Sequence, residues 1–268
     1  MKPSVVITIC QRKGGVGKST ATLNLAYSLA LLGNKVLIID LDDQGNTTSS
    51  ISGHIKTDLS VSDLLLNDEL ELADVTVSTG WKNIWMIRAS ANLSGALKHL
   101  GSEVGGHLVL KEKLSKAKNY DICLIDNSPS LNILNINSFC ASDFLFIPLS
   151  SKYFSLQGLS QTLATYNKVK TRLNPALKLL GMAFVIHDKR NTLANEIVEK
   201  VKKQYPAMLF DTLIGVNIRI EEAQVNKQSI LTYCPQDRGA AQYMALGKEI
   251  AERIQKAKPL TQKEAVYG

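Results

Sequence analysis

Two lysines flank a glycine cluster in the run Cys10-Gln11-Arg12-Lys13-Gly14-Gly15-Val16-Gly17-Lys18-Ser19-Thr20. That combination suits the binding of phosphate. Backbone N–H groups from Gly14 to Thr20 would cradle phosphate oxygens where a helix begins. Lys18 would contact the β- and γ-phosphates, and the Ser19 hydroxyl would bind Mg²⁺. The ordinary loop of this type reads G-x-x-x-x-G-K-[ST]. Here Arg12 stands where its first glycine belongs, and Lys13 is an additional cation. Taken alone, the run is also compatible with a glycine turn that happens to end in GKST.

Three aspartates stand where such a loop needs them. Asp40 and Asp42 close the run Val36-Leu37-Ile38-Ile39-Asp40-Leu41-Asp42, and Asp126 closes Cys123-Leu124-Ile125-Asp126. Ligands of open α/β sheets sit at the carboxyl ends of strands. If the chain stays extended, Asp40 and Asp42 point the same way. One would assist the Mg²⁺ shell and the other would orient an attacking water. Asp126, after four apolar residues, has the Walker-B pattern and would hold Mg²⁺ directly or through water. The Asn127-Ser128-Pro129-Ser130 that follows has the residue types to cap the next helix. Without the phosphate loop, each aspartate reads as an ordinary charged strand end.

The elements that position these groups alternate along the chain. Strand-like apolar runs cover 5–10, 35–40, 84–88, 120–126, 143–148, 179–186 and 209–213. Most are continuous rather than alternating, as in parallel strands buried on both faces. Helix-length segments lie near 19–32, 108–118, 155–173, 191–205 and 240–258. The first stops at Gly33-Asn34. The alternation predicts an α/β fold: one doubly wound, mostly parallel sheet with helices on both faces, spanning 1–258. Residues 44–82 read as an irregular, mobile region, and 259–268 as a flexible tail.

The 268 residues suffice for one large domain with a full core. No apolar run is long enough for a membrane helix, and no signal-peptide pattern opens the chain, so a cytoplasmic protein is expected. The four cysteines, at 10, 123, 140 and 234, form no C-x-x-C pair. Cys10 and Cys123 read as buried thiols in a reducing compartment. The net charge is +7, and residues 1–100 contribute none of it. The surplus lies in the C-terminal two thirds, away from the phosphate loop. It fits a nucleic-acid surface and equally a solvated lysine-rich one.

Together KGGVGKST, VLIIDLDDQGN and YDICLIDNSPS resemble the ParA/MinD family of deviant Walker-A ATPases over nearly the whole chain. The segments IHDKRNT (186–192), NIRIEEA (217–223) and YCPQDRGA (233–240) resemble its ParA/Soj branch, which partitions plasmids and chromosomes. The resemblance explains Lys13. In the family, that lysine reaches across a homodimer interface to the phosphates held by the other subunit, so that ATP is sandwiched between two chains. A second cation is most effective where two chains meet and water is excluded.

Further roles follow from the resemblance by position. Asp42 matches the residue needed for hydrolysis, and Asp40 the one nearer Mg²⁺. Asn217, and Gly215 where relatives often have Pro, match positions near the adenine. Arg190 and Arg219 match the arginines that bind DNA in the ATP dimer, with Lys189, Lys202, Lys203 and Lys227 as neighbours. The alternative for each arginine is a surface residue or an ion-pair partner. Asp43, Asn127-Ser128 and Val216 depart from the usual Pro, Cys/Thr-Pro and Arg.

The implied activity is slow ATP hydrolysis. An ATP-bound dimer would hold double-stranded DNA without sequence preference, which associates it with the nucleoid. A ParB-like partner would then stimulate hydrolysis and release. The phosphate loop starts at residue 13, so no recognition-helix module precedes it and operator binding is not expected. Other readings predict different features. A MinD-like membrane ATPase needs a C-terminal amphipathic helix, whereas Glu252–Leu260 is basic, poor in large apolar residues and broken at Pro259. An iron–sulfur carrier needs interfacial cysteine pairs. An ATPase that positions a non-DNA cargo shares every motif and differs only in its partner. A scaffold without hydrolysis would not need Lys18, Asp42 and Asp126.

Overall fold

Continuous β-branched and aliphatic runs form the strands, and the helices between them cover both sheet faces. The computed structural model describes residues 5–51, 58–117, 119–152 and 155–257. Its strands are β1 (Val5–Ile9), β2 (Val36–Leu41), β3 (Thr76–Ser78), β4 (Ile84–Ile87), β5 (Ile122–Asn127), β6 (Phe144–Ser150) and β7 (Lys178–Ile186). The helices are α1 (Lys18–Leu31), α2 (Asn46–Ser49), α3 (Val61–Leu66), α4 (Leu72–Val75), α5 (Leu93–Ser102) and α6 (Val109–Ser115). They continue with α7 (Ile133–Ala141), α8 (Ser155–Arg172), α9 (Thr192–Gln204), α10 (Ile218–Val225), α11 (Ile230–Tyr233) and α12 (Arg238–Ala257). The sheet order is β3-β4-β2-β5-β1-β6-β7, parallel throughout except where β3 meets β4. This is the doubly wound sheet that the alternation predicts.

Period-two alternation divides the core. Val5, Ile7 and Ile9 face a layer built on α1, α10, α11 and α12. Val6, Leu37 and Ile39 face α3, α5, α6 and α7, and Leu145, Ile147 and Leu149 face α7, α8 and α9. Because both faces are covered, the strands carry few polar positions.

Three expectations need correction. Residues 44–82 are not simply irregular: their described part forms α2, α3, α4 and β3, and Val61, Leu64, Leu72 and Val75 are core residues. The helices are only four to six residues long, too short to show a period in sequence. Residues 52–57, like the expected tail at 259–268, lie outside the described residues. The expected strand at 209–213 does not form a ladder. Met182 N–H donates to Met208 O at 2.7 Å, and Ile214 N–H to Phe184 O at 2.8 Å. Between them, Asp211 and Thr212 turn their N–H groups to the Glu249 carboxylate of α12, which interrupts pairing with β7. The helix after β5 is capped by Asn132, not by 127–130. Asn127 is instead fully buried as the last residue of β5, and donates to Thr8 Oγ1 at 2.8 Å.

Helix α1 carries the phosphate loop, so its seat matters. Ser28 Oγ donates to Tyr243 O of α12 at 3.0 Å. A Cβ on Gly247 would lie 2.6 Å from Ser28 Cβ, so the Ser28 side chain packs directly on the Gly247 backbone. Gly247→Val is expected to lower stability by about 1–3 kcal/mol through overpacking. A thermal melt checks this, and an unchanged midpoint would mean that the helix pair has room to spread.

Candidate active site

The turn between β1 and α1 builds an anion cradle from two left-handed glycines. Gly15 has φ 69° and Gly17 φ 84°, and Gly17 is the N-cap of α1. A Cβ at Gly17 would also lie 3.1 Å from Val185 Cγ2 of β7, so a side chain is excluded twice over. Val16 is buried and anchors the loop. The loop opens on a cleft of about 650 Å³ lined by Gly14, Gly15, Gly17, Lys18, Ser19, Thr20 and Asp42. The exposed amides of a helix start and the helix dipole make this an anion site.

Lys18 is buried, with Nζ 3.5 Å from Lys13 O. Burial raises the carboxyls of both Asp42 and Asp126, and the Lys18 charge opposes that rise in each. Lys13 does not line this cleft. Its N and Cβ lie against α8, where a Cβ on Gly158 would come within 3.3 and 3.2 Å of them. The same helix holds the preceding residues: Arg12 N–H donates to Thr162 Oγ1 at 3.2 Å, and Thr162 Oγ1 to Gln11 Oε1 at 3.0 Å.

β2 and β5 are adjacent, and their register sets Asp40 beside Asp126. Both are fully buried. Burial is the main cause raising each carboxyl, and the Asp126 charge pushes Asp40 further up. The expectation that Asp40 and Asp42 point together from an extended strand is corrected by the turn after Leu41. Asp42 N–H donates to Asp40 Oδ1 at 3.1 Å, while Asp40 Oδ2 accepts from Thr48 N–H and Thr48 Oγ1, each at 2.8 Å. Asp40 thus clamps α2, and both its oxygens are engaged.

Asp126 differs from Asp40. Its Oδ2 accepts from Thr47 Oγ1 at 2.7 Å, and its Oδ1 is buried with no hydrogen-bond partner. The Ser19 hydroxyl is a hydrogen-bonding neighbour of the same carboxyl, and a hydroxyl beside a carboxylate with spare acceptor capacity is a donor set suited to a hard cation. Among the described residues no cluster of three His, Cys, Asp or Glu converges as a metal centre. A Mg²⁺ here would therefore rest on Ser19, Asp126, waters and phosphate oxygens, which is its usual preference. Asp42 borders the cleft and is raised by burial first; Asp43 adds to this and Lys18 opposes it. The extra negative charge at position 43 thus acts on Asp42.

Sequence reading missed Thr47 and Thr48, which tie α2 to Asp126 and Asp40. Gly45, left-handed at φ 57°, is the N-cap of α2 and a local signal of that helix.

The other expected residues lie away from the cradle. Asn217 caps α10 by accepting from Arg219 N–H at 2.9 Å, and its Nδ2 donates to Asp237. Gly215 borders a second cleft of about 510 Å³ with His187, Val216 and Arg238. Arg190 precedes α9, is 83 % exposed, and grips Asp188 through Nε and Nη2 at 3.0 and 3.1 Å. Arg219, in the first turn of α10, pairs with Glu222 at 2.7 Å. Both arginines are therefore exposed ion pairs in this structure. Neither lines the phosphate cleft.

Comparison with known proteins agrees with this architecture. A family model described as an AAA domain matches residues 4–179. The sporulation initiation inhibitor protein Soj of Bacillus subtilis is 39% identical over 249 residues, covering 92% of this chain and 98% of Soj. The chromosome partitioning protein ParA of Caulobacter vibrioides is 33% identical over 255 residues, covering 94% and 95%. Among solved structures, cobyrinic acid a,c-diamide synthase from Mycobacterium smegmatis, with bound ADP and magnesium, superposes with a TM-score of 0.82. It is 27% identical, with 96% of this chain and 97% of that one covered. A solved structure of a different enzyme thus shares this fold, and the near-full-length relatives narrow the choice. The chain belongs to the ParA/Soj family of P-loop ATPases.

Proposed function

We propose that this protein is a partitioning ATPase whose ATP-bound dimer holds DNA and lets go after hydrolysis. The observation that supports the reading is the pair of lysines. Lys18 lines its own cleft, whereas Lys13, whose N and Cβ lie against α8, is not among the residues that line it. A lysine placed there suits phosphates bound by a second copy.

In this reading the amides of Gly14 to Thr20, with Val16 as anchor, hold the phosphate chain. Lys18 neutralises charge on the β- and γ-phosphates, and Lys13 does so across the dimer. Asp42 orients the attacking water. Asp126 and Ser19 hold Mg²⁺, and Asp40 holds α2 so that Thr47 can brace Asp126. Mg²⁺, when bound, screens the charge that builds on the transferring phosphoryl group. Gly215 and Asn217 stand near the adenine. Nucleotide and magnesium in the M. smegmatis neighbour, and the partitioning relatives, support this assignment. Turnover is slow until a ParB-like partner stimulates it.

Arg190 and Arg219 are the phosphate contacts of the DNA surface. Their pairing with Asp188 and Glu222 does not forbid this, because exposed ion pairs are weak and a polyphosphate competes well. It does attenuate it. The variant Asp188→Asn/Glu222→Gln is therefore expected to bind random duplex DNA several-fold more tightly than the parent in the ATP-bound state. Fluorescence anisotropy at fixed salt checks this, and weaker binding would mean that the pairs hold the arginines in position rather than mask them. The same pairing favours a second reading, an ATPase with a non-DNA cargo.

The deciding experiment is binding to random-sequence duplex across a salt series, with a non-hydrolysable ATP analogue, with ADP and with neither. Tight, salt-sensitive binding with the analogue alone is expected. Equal or absent binding in all three states would overturn the DNA reading and favour the protein cargo.

A further inference from the structure

We propose that the groove between α7 and α8 docks an acidic amphipathic helix of a partner protein. Along α8, Gln161, Ala164, Thr165, Lys168, Val169 and Arg172 recur at three- and four-residue spacing, which makes one stripe over about three turns. Val169 and Thr165 are buried and form the floor with Ile136 of α7. Leu131 and Leu173, 43% and 37% exposed, stand at the walls. The groove measures about 480 Å³.

Its charge has one sign. Arg12, Lys168 and Arg172 line it, and no carboxylate among the described residues does. From 127 to 187 the only acidic residue is Asp143, against five lysines and arginines. That aspartate is spent on Val6 N–H, from which it accepts at 2.8 Å. A helix laid into a two-helix groove buries its apolar stripe on the floor and presents its flanks to the rim. Here those flanks must be acidic to meet Lys168 and Arg172.

Other occupants fit less well. DNA offers no apolar side chain for the floor. A lipid surface is flat, whereas this site is concave. A two-fold contact centred on the groove would set the patch against itself, cation against cation. The groove also shares α8 with the Gln11–Lys13 segment, through Thr162 and Gly158. A partner seated there bears on the helix that holds Lys13.

The test uses the full chain and a fluorescein-labelled 18-residue peptide of Leu and Glu in an amphipathic helical pattern. A scrambled peptide of equal composition is the control, and the readout is anisotropy. The patterned peptide is expected to bind at least tenfold more tightly than the scrambled one. Lys168→Glu/Arg172→Glu should lose at least tenfold by charge. Ala164→Phe, which fills the groove and leaves charge untouched, should lose as much by shape; both alter exposed positions, so the fold is retained. Equal binding of the scrambled peptide, or parent-like binding by Ala164→Phe, overturns the proposal. So does groove-dependent capture by phosphatidylglycerol vesicles, or self-association of the parent that Ala164→Phe abolishes.

Discussion

Lys18→Ala is expected to lower ATP turnover on the order of 10²- to 10³-fold, the effect of removing one preorganised charge from a water-poor site. The side chain is buried, and its Nζ contact with Lys13 O, at 3.5 Å, is too long to stabilise the fold appreciably. Its charge is instead set against Asp42 and Asp126, both raised by burial. The ammonium is thus held in place for a group that arrives with the nucleotide. Phosphate release at saturating ATP measures the effect, and turnover within about threefold of the parent would remove Lys18 from the phosphate machinery. Lys13→Ala should behave differently. Because Lys13 does not line its own cleft, a single chain should still bind the ATP analogue, while the analogue-induced dimer disappears in sedimentation. Loss of nucleotide binding itself in Lys13→Ala would place that lysine in the cleft of its own chain.

The phosphate loop, the strand ends at Asp40 and Asp126 and the sheet were legible because each rests on local chemistry. Glycines at left-handed positions and unbroken apolar runs leave a mark in sequence. What escaped depends on packing between distant segments. The clamp of Thr48 on Asp40 and of Thr47 on Asp126 needs α2 folded under the cleft, and a four-residue helix has no periodicity to read. The segment at 209–213 has a strand's composition, yet Glu249 of α12 takes the N–H groups that would complete its ladder. The masking of Arg190 and Arg219 is different in kind: Asp188 two residues earlier and Glu222 three residues later are local partners, and the ion-pair alternative is open in the sequence. Tertiary structure decided which of the site's carboxylate oxygens are spent, and Asp126 Oδ1 has no hydrogen-bond partner.

Arg190→Glu/Arg219→Glu should abolish DNA binding by the ATP-bound state. A dimer presents two copies of each arginine, so the double variant removes four cations from the DNA phosphates. Each such cation contributes about 0.9 to the slope of log K against log salt, so the slope should fall by about 4. The affinity at 0.1 M salt should drop by roughly 10³-fold or more, because reversal also adds repulsion. Folding gives little reason for either arginine to be there. Both are exposed, and each pairs only with a carboxylate a few residues away, an interaction of small worth to the fold. The melting temperature should therefore stay near that of the parent. Analogue-induced dimerisation, followed in the same samples, separates loss of the surface from loss of the dimer. If the dimer forms and still holds random duplex with the parent's salt slope, the DNA surface lies elsewhere on the chain. If it forms and DNA binding is gone, the +7 net charge is organised around these two positions rather than spread over a solvated surface.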